Sequence, residues 1–475
     1  MRILLFICVL PSLLFSQNQI GDDIPGQSLE PVGYDVSISS DGNFIAVSSP
    51  FGDTGNTKVF ENISGVWSQV GQTITGDIMA TGIGFSNAIS SDGSIVATSD
   101  IFGEISGFTG LVRVFENISG VWTQIGEDIY GDAGNDNFGR NIALSSNGNI
   151  LAVGAPFNDN NGNNTGQVKV YENISGEWTQ LGGDIGGENE LDRSGWGVSL
   201  SSDGLTVAIG STFSGNGGQV RVFKYQSGNW TQVGQNIDGI SVGGWFGRRV
   251  SLSSDGSVLA IGSPFNVSSG GGEGHVQVYE QISGAWVQKG QDIYGEFDDD
   301  FLGYEVSMSA NGSVLAVATP ASALSVGFNR VKIFKFQSGS WVQAGNDING
   351  EADDEQFGAS IALSSDGSTV VIGAPDNNEN GNSGAVRVFD VSGILNTGDI
   401  YTNEFSIYPN PATDTIVIDL KNEMQLKEVN IYNALGQLVL KNTEKLIDVD
   451  GLSKGSYVLE VISNTGKTAK PLLIK

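Results

Sequence analysis

The chain has 475 residues, with 53 acidic against 23 basic side chains and a formal net charge of −30. That balance excludes recognition of nucleic acid, or of an anionic membrane surface, through a basic face. A single histidine and a single cysteine argue against Ser-His-Asp, Cys-His and zinc chemistry, and 68 glycines indicate a chain that turns often.

At the start, Arg2 precedes an apolar run from Ile3 to Phe15 and a small residue, Ser16. Residues 1–16 read as a secretory signal peptide, too short to span a bilayer, so the mature chain is expected to be exported by the Sec route. Cys8 lies inside this leader, so no disulfides are expected, and no other segment has the length of a transmembrane span.

From there the chain repeats. A Ser-Ser or Ser-Ala pair followed by Asp/Asn-Gly recurs at Asp41, Asp92, Asn147, Asp203, Asp255, Asn311 and Asp366, at steps of 51, 55, 56, 52, 56 and 55 residues. This is the period of four-stranded propeller blades. In the third unit, Ile142 and Leu144 alternate with Asn141 and Ala143 as a strand requires, and Asn147-Gly148 predicts a type I′ hairpin. Ile150–Ala155 is apolar on both faces, as in a strand sandwiched between blades. A third strand, Gln167–Ile174, turns at Ser175-Gly176 into a fourth, Glu177–Ile185.

The fourth strand carries Trp67, Trp122, Trp178, Trp230, Trp286 and Trp341, which read as packing anchors; the seventh unit has no such residue. Its first three strands span Phe357–Val391, while Gln19–Ile24 matches Gln124–Ile129 almost residue for residue and sets Gln17 at the tryptophan position. The expectation is an all-β, seven-bladed propeller over residues 17–393, with residues 17–24 closing the last blade. Ile394–Ile400 is the competing segment for that place.

Acidic runs lie between blades at Asp132–Asp136, Glu188–Asp192, Glu296–Asp300 and Glu351–Glu355. Two readings stand open. A solvated rim is favoured, because no run has the ligand spacing of an EF-hand loop; Ca2+ is the alternative, with Asp298, Asp299, Asp300, Asp353 and Asp354 as candidate ligands.

After a linker at 394–404 the texture changes, and residues 405–475 predict a small β-sandwich. Tyr408-Pro409-Asn410-Pro411, Ala434–Val439 with Gly436, and Leu452–Val458 with Gly455 and Tyr457 resemble the C-terminal sorting domain of the type IX secretion system of Bacteroidetes. The resemblance implies the type IX machinery as a partner and a product that is secreted or held at the outer cell surface. Phe138-Gly139 with Gly154-Ala155-Pro156, and Phe357-Gly358 with Gly373-Ala374-Pro375, resemble FG-GAP repeats of the integrin-alpha type of propeller. The tight Ser-Ser-Asp-Gly turn here is too short to wrap a cation, so the calcium loops of that family are not carried over.

His275 stands where sister units have Gln167 or Gln219 and reads as structural. Aligned on the Asp/Asn-Gly turns, every unit has a glycine at one point, Gly33, Gly84, Gly139, Gly195, Gly247, Gly303 and Gly358, which suggests close backbone approach. The residues just after them, Tyr34, Phe85, Arg140, Trp196, Arg248, Tyr304 and Ala359, would surround one mouth of the central channel, with Trp245 and Arg249 beside them, and the aromatic and arginine side chains are of the types that dominate binding sites. The expectation is a non-catalytic binding or adhesion module, its ligand a polysaccharide or a protein; packing between blades is the competing role for these residues. The alternatives are a carbohydrate-active enzyme, a glycosidase or lyase using loop carboxylates, and a purely structural envelope protein.

Overall fold

A computed structural model describes residues 17–475 except 28–29, 52–53, 77–81, 104–107, 216, 267–271, 321–328, 353–354, 377–382, 396–404, 421–424, 434–436 and 464–466. The proposed leader therefore lies outside the described residues. No helix among those described is long and apolar enough to cross a membrane. The chain forms two compact units, Met1–Leu395 and Asn396–Lys475.

The first unit is a ring of seven antiparallel sheets. In the third blade Ile142–Leu144 pairs with Ile150–Ala155, which pairs with Gln167–Ile174; Glu177–Gln180 and Ile185–Gly186 together edge that third strand. All six residues of Ile150–Ala155 are buried, as double-sided apolarity requires. Neighbouring innermost strands contact one another around the ring, and the last, Ser360–Leu363, meets the first, Asp35–Ile38.

The Ser-Ser-Asp-Gly phrase has two structural duties. Within a blade, the Ser39 hydroxyl donates to Asp41 Oδ1 and accepts from the Phe44 backbone N–H, so the turn closes on itself. Between blades, the second residue of each phrase donates its backbone N–H to its counterpart in the next. The donors run Ser40, Ser91, Ser146, Ser202, Ser254, Ala310 and Ser365, and the last donates back to Ser40 at 3.0 Å. The expected type I′ geometry falls elsewhere. At Asn147-Gly148 only the glycine has positive φ, whereas Ser175 (57°) and Gly176 (93°) are both positive, so it is the Ser-Gly turn that has the mirror-image form. The two residues between Ser145 and Gly148 stay at negative φ, and the Gly148 N–H bonds to the Ser145 carbonyl as a tight turn requires.

Each tryptophan reaches back to the preceding blade: Trp122 Nε1 donates to the Val70 carbonyl at 2.8 Å, and Trp341 Nε1 to that of Lys289 at 2.8 Å. The seventh blade completes this pattern with other residues. Asn18–Gln19 and Ile24–Pro25 pair with Ala385–Asp390, in the register Asn18↔Asp390 and Ile24↔Val386. Gln17 Nε2 donates to the Asn346 carbonyl, and Ile394, 2% exposed, packs into the apolar cluster that includes Ile348 and Phe357. The two segments that compete in the sequence thus share the missing indole's place.

The second unit has two sheets. One holds Phe405–Tyr408, Thr415–Leu420 and Leu446–Asp448; the other holds Leu438–Asn442, Leu426–Tyr432, Gly455–Ser463 and Lys467–Ile474. Their inner residues, among them Phe405, Ile416, Ile431, Leu459 and Leu472, form one buried cluster.

Candidate functional site

The glycine ring is what brings the mouth residues together. All seven glycines have φ between 86° and 96°, a conformation that side chains resist. The chain bends sharply there and directs the next residue inward. Tyr34, Phe85, Arg140, Arg248, Arg249 and Tyr304, with Asp35, Ser86 and Glu305, line a single cavity of about 100 Å3.

Trp196 and Trp245 do not line that cavity but flank it. Arg140 Cζ lies 4.7 Å from the Trp196 ring centre and 4.9 Å from that of Phe85. Trp196 packs edge-on against Trp245 at 5.9 Å, and Trp245 against Phe265 at 4.7 Å. Arg248 is 6% exposed, with its Cζ 3.5 Å over the Tyr304 ring, and donates to the Tyr304 carbonyl at 3.0 Å. These contacts pack the ring residues against one another, the role that competes with binding for them.

Charge in the mouth is uneven. Arg249 Nε donates to both oxygens of Glu305, at 2.6 and 2.7 Å, and Asp35 Oδ2 accepts from the Asn87 backbone N–H at 2.7 Å. Burial alone would lower Arg249, but the Glu305 and Asp35 carboxylates more than offset this and raise it. Burial lowers Arg248, and it lowers Arg140 to about 10, with Arg249 and Arg248 adding to the effect. Three guanidinium groups face two carboxylates, so the mouth is positive in a strongly acidic chain.

Burial pushes the Asp35 carboxyl up to about 6 against the pull of Arg249 and the Asn87 N–H, and the Glu305 charge adds to the rise. The group's folded pKa lies above its unfolded value, near 4, so the stability it contributes is present below about pH 4 and lost as pH rises through 6. Relative to the parent, Asp35→Asn should therefore gain about 2 kcal/mol between pH 4 and pH 7, read from urea midpoints. A difference between the two proteins that does not change with pH would refute this.

A second ring escaped the sequence reading. The residue following the Gly-Ala-Pro position is phenylalanine in five blades, Phe51, Phe102, Phe157, Phe213 and Phe265. Phe51, Phe102 and Phe213 are 47%, 38% and 39% exposed, and Phe51 meets Tyr34 edge-on at 5.3 Å. Arg193 Cζ lies between Phe157 and Phe213, at 4.9 and 4.1 Å from the ring centres. The signal was available as one aromatic at a fixed offset in successive repeats.

The acidic runs are neither a bare solvated rim nor, among the described residues, a metal site, because basic side chains of the blades meet them. The central residue of each third strand is Lys58, Arg113, Lys169, Arg221, Gln277, Lys332 or Arg387. Lys169 pairs with Asp132 at 2.6 Å, Arg221 with Glu188 at 3.6 Å, Lys332 with Glu296 at 2.8 Å, and Arg387 with Glu351 at 3.0 Å and Glu355 at 3.2 Å. Among the candidate calcium ligands, Asp300 is buried against Arg330 at 2.6 Å and accepts the Glu296 and Phe297 backbone N–H groups. Asp298 and Asp299 are exposed, and Asp353 and Asp354 lie outside the described residues. Among the described residues no group of three or more His, Cys, Asp or Glu is placed to hold a metal. His275 is buried and stacked between Phe246 and Tyr294, and burial lowers its pKa.

In the tail, Tyr408, Pro409, Asn410 and Pro411 form an exposed turn in which Asn410 Oδ1 accepts the Leu473 N–H at 2.9 Å. The Tyr457 hydroxyl donates to the Ser453 carbonyl at 2.7 Å; Gly455 begins that strand, and Gly436 lies outside the described residues.

Comparison with known proteins agrees with this division. Residues 406–475 match the family model of the secretion system C-terminal sorting domain, and residues 131–171 and 349–389 match the FG-GAP repeat. The tail marks the chain for export through the type IX secretion system to the cell surface or extracellular space. A stretch of 75 residues is 35% identical to beta-agarase D of Zobellia galactanivorans, covering 15% of this chain and 15% of that protein. Among solved structures, the Cps50 (Swd1) β-propeller domain of Myceliophteria thermophila aligns with TM-score 0.52 and 12% identity over 79% of this chain and 99% of that one. U3-55K aligns with TM-score 0.50 and 14% identity over 78% and 98%. At these identities the structural likeness concerns the fold alone.

Proposed function

We propose that the propeller is a non-catalytic binding or adhesion module displayed outside the cell, and that its ligand docks at the channel mouth. The observation that carries this reading is the convergence of Tyr34, Phe85, Arg140, Arg248 and Tyr304 on one cavity. Around it stands a collar of partly exposed phenylalanines. Aromatic and arginine side chains supply most of the affinity in protein recognition sites, and a rigid ring presents them without an ordering cost.

The test is an array of polysaccharides and matrix proteins probed with the full chain, with and without calcium, beside a Phe213→Ala, Trp245→Ala variant. A hit that weakens at least tenfold in the variant supports the mouth as the site, since each aromatic anchor contributes about 1 kcal/mol or more. A hit untouched by the variant sinks the proposal.

A carbohydrate-active enzyme is the second reading, and the Asp35 carboxyl near 6 beside Glu305 is what favours it. Against it stands the cavity of about 100 Å3, far below the several hundred Å3 of ordinary small-molecule sites. Under this reading Glu305→Gln alone abolishes turnover of a bound saccharide, whereas a binding module has no turnover to lose.

A further inference from the structure

We infer that the channel mouth is a clamp for one oxyanion group, the carboxylate or sulfate of an acidic saccharide whose ring rests on the aromatic collar. The inference rests on the docking site proposed above and names the chemistry that site selects.

Three independent features point to an anion. Most other arginines of the propeller have acidic partners, among them Arg113 with Asp128 at 2.8 Å, Arg330 with Asp300 at 2.6 Å and Arg387 with three carboxylates, whereas Arg193 lies between the rings of Phe157 and Phe213 outside this cavity. Arg140 instead lies against the rings of Phe85 and Trp196, and forms no ion pair with the described residues. Asp35 and Glu305 also line the cavity, but three guanidinium groups face these two carboxylates and Arg249 already holds Glu305, which leaves the cavity short of one negative charge.

Arg248 gives the second observation. It is 6% exposed, yet its Nε is buried with no hydrogen-bond partner, and its nearest carboxylate oxygen, on Glu305, lies 3.6 Å from Nη1. That carboxylate is already held by Arg249. A buried donor without an acceptor costs stability, and an incoming oxygen would relieve it.

Size supplies the third constraint. A cavity of about 100 Å3 accepts a carboxylate or sulfate group but not a whole sugar. Planar guanidinium forks bind such groups through paired charge-assisted hydrogen bonds. The remainder of the ligand must stay outside, where Phe51 and Phe213 are 47% and 39% exposed. Partly exposed rings favour a saccharide over an acidic peptide, because sugar rings offer flat C–H faces to aromatic side chains. The net charge of −30 repels a long polyanion, so the clamp reads one acidic end group rather than a charged track.

The experiment titrates the full chain with an oligouronate, a sulfated galactan oligosaccharide and a neutral gluco-oligosaccharide of equal length, following tryptophan fluorescence. Arg140→Gln, Arg140→Lys and Phe213→Ala are compared with the parent, and unchanged melting temperatures confirm folding. The clamp predicts at least a tenfold preference for an acidic over the neutral sugar, lost in Arg140→Gln and partly kept in Arg140→Lys. The two acidic arms decide between carboxylate and sulfate. If Phe213→Ala weakens binding but neutral and acidic sugars bind alike and Arg140→Gln matches the parent, the clamp is wrong and the docking site stands. If no sugar binds and an acidic peptide does, the saccharide assignment is overturned; if nothing binds at the mouth, both proposals fall.

Discussion

Arg387→Met should destabilise the propeller by about 3–5 kcal/mol, the usual cost of removing one member of a buried ion pair. The Arg387 side chain is 2% exposed, and its Nη1 meets both oxygens of Glu355, which is itself fully buried, at 3.2 Å. Its Nε also donates to Asp23 at 2.8 Å, which ties the amino-terminal segment to the blade that the segment completes. The substitution leaves the Glu355 charge without its cation and loosens ring closure at the same time. The double variant Arg387→Met, Glu355→Gln should recover most of the loss, since the uncompensated charge is then gone. A denaturant midpoint for Arg387→Met within error of the parent would show that closure does not depend on this cluster.

The second large effect is expected at Gly210. This glycine sits in the second strand of its blade, and a Cβ there would overlap the carbonyl oxygen of Gly247, the ring glycine of the next blade. Gly154 stands in the same relation to Gly195, Gly262 to Gly303 and Gly373 to Gly33. Here the obstacle is backbone on both sides, so no side chain can swing away. Gly210→Ala should cost about 3 kcal/mol, at the upper end of overpacking effects. Gly183→Ala is the control, because a Cβ there meets nothing within 4 Å. Equal melting temperatures for the two variants would contradict this account of blade spacing.

The periodicity of the sequence was enough to specify the blades, because each unit repeats a strand pattern, a turn and a tryptophan at fixed offsets. The ring glycines were also legible, since a glycine at one point in seven units signals a backbone demand, here both a positive φ and, in most blades, close approach to neighbouring backbone. What escaped were relations that cross from one segment to another. The acidic runs looked solvent-facing or metal-binding because their cations, such as Lys169 for Asp132, are 37 residues away in sequence and meet them only once the blade is folded. The seventh tryptophan slot posed the same difficulty. Its occupants, Gln17 and Ile394, come from opposite ends of the propeller, and a repeat pattern sets two such segments against each other rather than side by side.

Within the candidate site, the residue after each ring glycine was readable as a mouth position, yet Trp196 falls beside the cavity rather than in its lining. A strand's alternation gives the face of a side chain but not how far it reaches past its neighbours. The Phe51 to Phe265 collar was less legible because its position lies in the loop after the second strand and carries Ala321 and Asp376 in the last two units, so the repeat is broken there.

The most direct test of the docking site is hydrogen exchange on the full chain, with and without a saturating saccharide hit from the array. Binding at the mouth predicts added protection in the peptides around Tyr34, Phe85, Arg140, Arg248 and Tyr304 together, since these five line one cavity although they are spread over blades distant in sequence. Protection confined to the outer strands that carry Trp67 to Trp341, with the mouth peptides unchanged, would contradict it.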